Sequence, residues 1–150
     1  MSYPKTAFLS LFLFFAACTQ APNLSELNLR SNCNKIVCII QPNDCDRCLN
    51  NLNKFFAQNT FKQNELSILL PDFSEAQKQA FFQQILKVDN SNLNIATSSN
   101  LQLQLIELAN LKPFSSTLLV FNENNQLTEQ YPFKKFTLQQ SKLQTILNCP

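Results

Sequence analysis

The residues of this chain best suited to chemistry are two cysteines three positions apart, Cys45 and Cys48. A thiol pair at this spacing can attack a disulfide and then close into a disulfide itself, so the motif predicts thiol–disulfide exchange. The chain of 150 residues has no histidine and no glycine. Histidine is the commonest general base and metal ligand, and glycine builds the phosphate-binding loops. We therefore expect cysteine chemistry with no metal, no organic cofactor and no nucleotide.

Other roles for Cys45 and Cys48 stay open at this point. The pair could form a structural disulfide, or stay unused in a fold that only binds a partner. A structural zinc site takes four ligands, so it would also need Cys38 or Cys33. Exchange is favoured because the pair follows an apolar run and opens a helix, where unpaired backbone N–H groups and the helix dipole stabilise a thiolate.

The elements on either side of the motif can be predicted from hydrophobic periodicity. Residues 36–40 form an unbroken, mostly β-branched apolar run, which is typical of a strand buried on both faces of a sheet. Between residues 45 and 58 the apolar positions recur at helical spacing, and Asp44 is the expected N-cap of that helix. The motif therefore joins a central strand to a helix.

Strands and helices continue to alternate along the rest of the chain. We predict strands at 66–70, 94–97, 117–121 and 126–131, and helices that begin near 74, 100 and 137. Capping boxes at Ser74 and Thr137 mark two of these helix starts, whereas the alternation of leucine and glutamine over 101–105 also allows a strand there. Without glycine, asparagine must supply the left-handed turn residues, and the candidates are Asn43, Asn90 and the pair Asn124 and Asn125. The order predicts an α/β fold with three layers, α/β/α, a central mixed sheet, and a C-terminal β-hairpin plus helix.

The N-terminus has the pattern of an export signal. Lys5 precedes an apolar stretch that ends in two alanines directly before Cys18. This stretch is too short for a membrane span, which needs about 20 apolar residues. It resembles the signal of bacterial lipoproteins, in which the cysteine carries the lipid, although Phe15 stands where leucine is usual; a plain secretory signal is the alternative. We expect a signal peptide at 1–17, a polar tether at 18–34 and a folded domain at 35–150.

Charge and location limit the possible partners. Twelve basic and 10 acidic residues give a net charge of +2, without a basic run, so the sequence does not indicate nucleic-acid binding. Membrane attachment is expected through the lipid anchor at Cys18. The predicted location is the bacterial cell envelope, outside the cytoplasm and on the periplasmic side.

The order of strand, Cys-x-x-Cys at a helix start, and a later strand leading into a hairpin resembles the thioredoxin superfamily. The nearest resemblance is to the membrane-anchored thioredoxin-like proteins of bacteria. It implies that Cys45 is the attacking nucleophile and Cys48 the resolving thiol. It also implies that Ser116 and Thr117, at the start of the strand 117–121, lie where the family contacts its substrate.

The chain departs from the family pattern near the motif and near Ser116. Asn43 and Asp44 stand where the family has tryptophan and glycine, and Ser116 replaces a cis-proline. A cis bond before a residue other than proline costs about 2.5–4 kcal/mol, so we expect this bend to be relaxed or rebuilt. Two functions follow as hypotheses. One is a lipid-anchored thiol:disulfide oxidoreductase acting on disulfide- or thiol-containing envelope proteins; the other is a degenerate lipoprotein that binds a peptide or protein partner without catalysis.

Three cysteines and two phenylalanines complete the set of candidates. Cys33 precedes the first strand and Cys149 follows the last helix, so a disulfide could join the two ends of the domain; two unbridged thiols are the alternative. Cys38 lies inside a strand and is expected to be a small buried apolar residue. Most phenylalanines should pack in the core, while Phe114 and Phe133 are predicted to line a peptide-binding rim.

Overall fold

The fold is described from a computed structural model, over residues 21–41, 44, 46–86 and 93–148. Five strands form one sheet in the order β3-β2-β1-β4-β5. They are β1 Lys35–Ile39, β2 Leu66–Leu70, β3 Asn94–Thr97, β4 Thr117–Phe121 and β5 Leu127–Pro132. The first three strands run parallel to one another, and the last two pair antiparallel. The predicted mixed sheet and hairpin are confirmed.

Four α-helices pack around the sheet: α1 Asp46–Gln58, α2 Glu75–Ala80, α3 Ser99–Leu108 and α4 Gln140–Leu147. α2 continues as a π-helical stretch over Phe81–Leu86. The capping box at Ser74 is confirmed, and the ambiguous stretch 101–105 is helical. The box predicted at Thr137 is wrong, because α4 begins at Gln140 without a side-chain cap.

The three central strands, β2, β1 and β4, are buried on both faces of the sheet, which gives the three layers expected of an α/β/α fold. One face packs against α1, the π-helical stretch and α4, and the other packs against α3. On the α1 face the β1 and β4 residues are Ile36, Cys38, Leu118 and Val120, and on the α3 face they are Val37, Ile39, Leu119 and Phe121. Alternate residues of each strand thus face opposite layers.

A short 3-10 helix, Leu24–Leu27, packs on the α3 face before the first strand. Leu24 and Leu27 are buried, and the Asn94 side chain donates a hydrogen bond to the carbonyl of Leu27. Arg30 forms an ion pair with Glu65 at 3.1 Å. The described part of the predicted tether, residues 21–34, therefore includes a short segment that packs on the domain.

The first 20 residues, with the predicted signal peptide and Cys18, lie outside the described part of the chain. The proposed division into signal peptide, tether and domain stays a prediction. Among the described residues, no helix combines the length and apolar character needed to cross a bilayer.

Asparagine takes the left-handed backbone positions that glycine usually fills. Positive φ occurs at Asn28, Asn64, Asn110 and Asn125, which confirms the prediction for Asn125 and not that for Asn124. The other two candidates, Asn43 and Asn90, lie outside the described residues. Phe114 is the exception, with φ of 60° on a bulky residue. It lies in the loop that enters β4, close to the predicted site.

Candidate functional site

Cys48 is the third residue of α1 and lies in the first turn of that helix. Its side chain is fully buried and packs among the core residues of the α1 face. Cys45 lies outside the described residues, while its sequence neighbours Asp44 and Asp46 are described. The described part of the motif, residues 46–48, thus forms the first turn of α1.

Asp44 is joined to Ser116, 72 positions away, by two hydrogen bonds. The Ser116 backbone N–H donates to Asp44 Oδ1 at 2.9 Å, and the Ser116 hydroxyl donates to Asp44 Oδ2. The same hydroxyl accepts from the Gln41 backbone N–H at 2.9 Å. We expected Asp44 to cap α1; instead, both of its carboxylate oxygens bind Ser116, and α1 begins at Asp46.

The loop before β4 is held by Gln41, a residue that the sequence did not single out. Gln41 Nε2 donates to the carbonyls of Lys112 and Ser115 at 3.0 and 3.1 Å. Its Oε1 accepts from the Phe114 backbone N–H at 3.0 Å. One signal was available, since a glutamine directly follows the apolar run 36–40. This side chain fixes the loop against the end of β1.

The bend at Ser116 is rebuilt with a trans peptide bond, as predicted, since the described residues include no cis bond. Ser116 is 0% exposed and Thr117 is 1% exposed. The Thr117 hydroxyl donates to the carbonyl of Ser115 at 3.0 Å. Both predicted substrate-binding side chains are therefore buried and bonded within the chain, and their substrate role stays a prediction.

Burial sets the protonation behaviour of the groups near the motif. Desolvation raises the pKa of Asp44, and the hydrogen bonds from Ser116 lower it in part. Cys38 is a free, fully buried thiol in β1. Burial raises the pKa of Cys38, and the negative charge of Asp44 raises it further. Cys38 is thus an unionised thiol that packs as a small apolar residue, as predicted.

A groove of about 580 Å³ opens beside the loop that Gln41 holds. The exposed Phe114 ring, 58% accessible, lies at the groove, as the predicted rim requires. Phe133 does not, because it is fully buried and stacks on Phe136 with ring centroids 4.7 Å apart. The groove is lined by Asn110, Leu111, Lys112, Pro113, Phe114, Ser115, Thr117, Gln130, Pro132, Lys134 and Lys135.

The ends of the domain meet near Cys33. Cys33 is disulfide-bonded, and Cys149, its predicted partner, lies outside the described residues. The neighbouring Asn34 Nδ2 donates to the carbonyl of Ile146, in the last turn of α4, at 3.5 Å. This contact brings the segment after Cys33 next to the C-terminal helix. No cluster of three or more metal-ligating side chains occurs among the residues that the structure describes.

Comparison with known proteins identifies the fold. No known family model and no curated protein sequence matches the chain, but solved structures do. The N-terminal domain of PilB from Neisseria gonorrhoeae has 13% identity and a TM-score of 0.51, with 81% of this chain and 80% of that chain covered.

Two further solved structures match to a similar degree. The exposed lipoprotein thioredoxin Etrx1 of Streptococcus pneumoniae strain TIGR4 has 16% identity and a TM-score of 0.51, with 82% and 87% covered. A putative electron transfer protein from Aquifex aeolicus VF5 has 10% identity and a TM-score of 0.52, with 78% and 80% covered. At these identities the likeness concerns the fold, and the chain has a thioredoxin-like α/β fold.

Proposed function

We propose that this protein is a lipid-anchored, extracytoplasmic thiol:disulfide oxidoreductase that uses Cys45 and Cys48. The observation that carries the proposal is the position of Cys48, buried in the first turn of the helix that follows β1 in a thioredoxin-like fold. A buried second thiol reacts only with a disulfide that is brought next to it, which is the task of a resolving cysteine. One structure with this fold is named an exposed lipoprotein thioredoxin, which agrees with the proposal.

The proposed reaction replaces one disulfide with another. The Cys45 thiolate attacks a sulfur of the partner's disulfide, forms a mixed disulfide and releases the other partner sulfur as a thiolate, which takes a proton from water. Cys48, after losing its proton, attacks the Cys45 sulfur. This step breaks the mixed disulfide, releases the second partner thiolate and leaves a Cys45–Cys48 disulfide. The partner gains two electrons, and an external dithiol must reduce the pair again.

The redox equilibrium of the pair tests this function. Arg47 lies between the two cysteines, so trypsin separates their peptides when the pair is reduced and leaves them linked when it is oxidised. The linked fraction is measured by alkylation and mass spectrometry across glutathione and dithiothreitol series. Cys38 shares a tryptic peptide with Cys45, so Cys38→Ala is the control that assigns the link.

A reversible couple between about −120 and −270 mV would support exchange chemistry. A pair that never closes, or that resists reduction well below about −300 mV, would refute it. A disulfide-reduction assay gives the second readout: Cys45→Ser should abolish turnover, and full activity in that variant would also refute the proposal.

Lipid attachment and location are tested separately. In a bacterial host fed radiolabelled palmitate, the chain should carry the label and sediment with membranes. Cys18→Ser should lose both properties, because the thiol that accepts the lipid is gone. Label retained by the Cys18→Ser variant would contradict the lipid anchor and leave the thiol chemistry untouched.

A binding protein without turnover is the second candidate. The Asp44–Ser116 contact favours it, because Ser116 stands where the thioredoxin superfamily has a cis-proline that faces the substrate. Here the N–H and hydroxyl of Ser116 are both bonded to Asp44. Ser116→Pro is a poor test between the candidates, since proline would remove both donors and destabilise the fold whatever the function.

A further inference from the structure

The groove beside Phe114 opens on the face of the sheet opposite to the one on which Cys48 is buried. Thr117 pairs with Pro132, and Leu119 pairs with Gln130. Leu119 packs in the core of the α3 face, and residues paired across strands project to the same side. The strand residues that line the groove, Thr117, Gln130 and Pro132, therefore lie on the α3 face, whereas Cys48 is buried on the α1 face.

The charged side chains that line the groove are all basic. Among the described residues, its lining includes three exposed lysines, Lys112, Lys134 and Lys135, and no acidic residue. Glu129 is adjacent in sequence to the lining residue Gln130, but it forms an ion pair with Lys142 at 2.5 Å. Glu129 also accepts a hydrogen bond from Tyr131, which packs against the α1-face core. The charge of Glu129 is thus engaged on the far side of the sheet.

Phe114 gives the groove an apolar wall at a conformational cost. A φ of 60° is unfavourable for a bulky residue, and such backbone is kept only where surrounding contacts hold it. The hydrogen bond from the Phe114 N–H to Gln41 Oε1 supplies one such contact. The result is a large ring, 58% exposed, next to Leu111, Pro113 and Pro132 in the same lining.

We propose that this groove binds an acidic peptide segment of a partner protein, with an apolar side chain against Phe114 and carboxylates beside Lys112, Lys134 and Lys135. Its volume is within the usual range of binding pockets, about 300–1,000 Å³. A peptide fits both halves of the lining, while a uniform polyanion would use the lysines and leave the apolar wall in water. The groove and Cys48 lie on opposite faces of the sheet, so peptide binding is tested separately from thiol exchange.

Fluorescence anisotropy tests the site directly. The protein is expressed with its own N-terminus, purified in a non-ionic detergent, and titrated into a labelled short peptide that has glutamates on both sides of one phenylalanine and no cysteine. The charge-reversed double variant, Lys134→Glu with Lys135→Glu, should weaken binding about tenfold or more, since two attractions become repulsions. Lys62→Glu makes the same kind of change at an exposed lysine outside the groove lining and should alter Kd less than about twofold.

The apolar wall is tested by Phe114→Asn, which removes the ring and keeps a residue suited to positive φ. We expect about a fivefold to twentyfold loss of peptide affinity, as for an aromatic contact residue that makes a moderate contribution to the binding energy. Circular dichroism confirms that each variant is folded. Absence of binding, an equal loss in Lys62→Glu, or unchanged affinity in Phe114→Asn would overturn the proposal. So would a heparin fragment that competes equally well against the wild type and Phe114→Asn, because it would indicate a polyanion site.

Discussion

Replacing Ser116 with alanine should destabilise the protein far more than a change at a hydroxyl usually does. The Ser116 hydroxyl donates to Asp44 and accepts from the Gln41 backbone N–H at 2.9 Å, inside a fully buried site. Alanine removes both bonds and leaves the Gln41 N–H without this acceptor. It keeps the hydrogen bond from the Ser116 N–H to Asp44 at 2.9 Å and the contacts of the Gln41 side chain with the loop.

The size of the effect follows from these two bonds. A hydrogen bond to a charged group contributes about 1.5–3 kcal/mol, and a buried N–H left unsatisfied costs about 1–3 kcal/mol. Because neighbouring terms are not additive, we expect a loss of about 2–5 kcal/mol. A central loss of about 3 kcal/mol raises the unfolding equilibrium constant more than a hundredfold, and with a urea m-value of about 2 kcal/mol/M it lowers the midpoint by about 1.5 M.

Urea denaturation followed by circular dichroism measures this loss. Ser115→Ala is the matched control, because it removes the same atom from the preceding, buried residue, whose hydroxyl forms no hydrogen bond with another described residue. The control should cost less than about 0.5 kcal/mol. A Ser116→Ala midpoint equal to that of Ser115→Ala would refute the idea that the Ser116 hydroxyl joins the loop to the motif.

Three further changes give independent checks. The raised pKa of Asp44 means that the folded state binds this proton more tightly than the unfolded state, so wild-type stability should fall as the pH rises from 3.8, the ordinary pKa, to the raised pKa. Denaturation curves at several pH values should show this fall in the wild type and lack it in Asp44→Asn. Parallel pH profiles of the two proteins would contradict the prediction. Leu27→Ala should lower the free energy of unfolding by about 2–5 kcal/mol in urea denaturation, because Leu27 is fully buried. Leu29→Ala should lower it less, because Leu29 is only partly buried, and equal losses would contradict the packing of this segment. If Cys33 and Cys149 are bridged, Cys33→Ser and Cys149→Ser should each lower the free energy of unfolding by about 2–5 kcal/mol in urea denaturation, and the double variant should lower it no further. Additive losses in the double variant would contradict the bridge.

Local pattern was enough to predict the elements. The unbroken apolar run predicted β1, helical spacing predicted α1, and the Ser74 capping box predicted the start of α2. These features depend on residues a few positions apart, so each is readable from a short window. The same reasoning placed Cys48 in the first turn of a helix. It failed at Thr137, where the box pattern is present and the helix nonetheless begins later, at Gln140.

Long-range packing decided which of two similar residues reaches the surface. The sequence assigned Phe114 and Phe133 to one exposed rim. In the structure, Phe133 stacks on Phe136 and contacts Phe55 on α1, with ring centroids 4.7 and 5.7 Å apart, and is buried. Phe114 stays exposed because its loop is fixed by Gln41, which follows the end of β1. Neither outcome has a local signal.

The sequence by itself determined the strand and helix order, the thiol pair at a helix start, and the absence of glycine that assigns left-handed positions to asparagine. Only the tertiary structure decided that Asp44 binds Ser116, that Leu24 and Leu27 belong to the core, and that the groove is basic. The physical reason is that periodicity and capping act between near neighbours. Hydrogen bonds across 72 positions, and lysines gathered from separate loops, exist only after the sheet has brought those segments together.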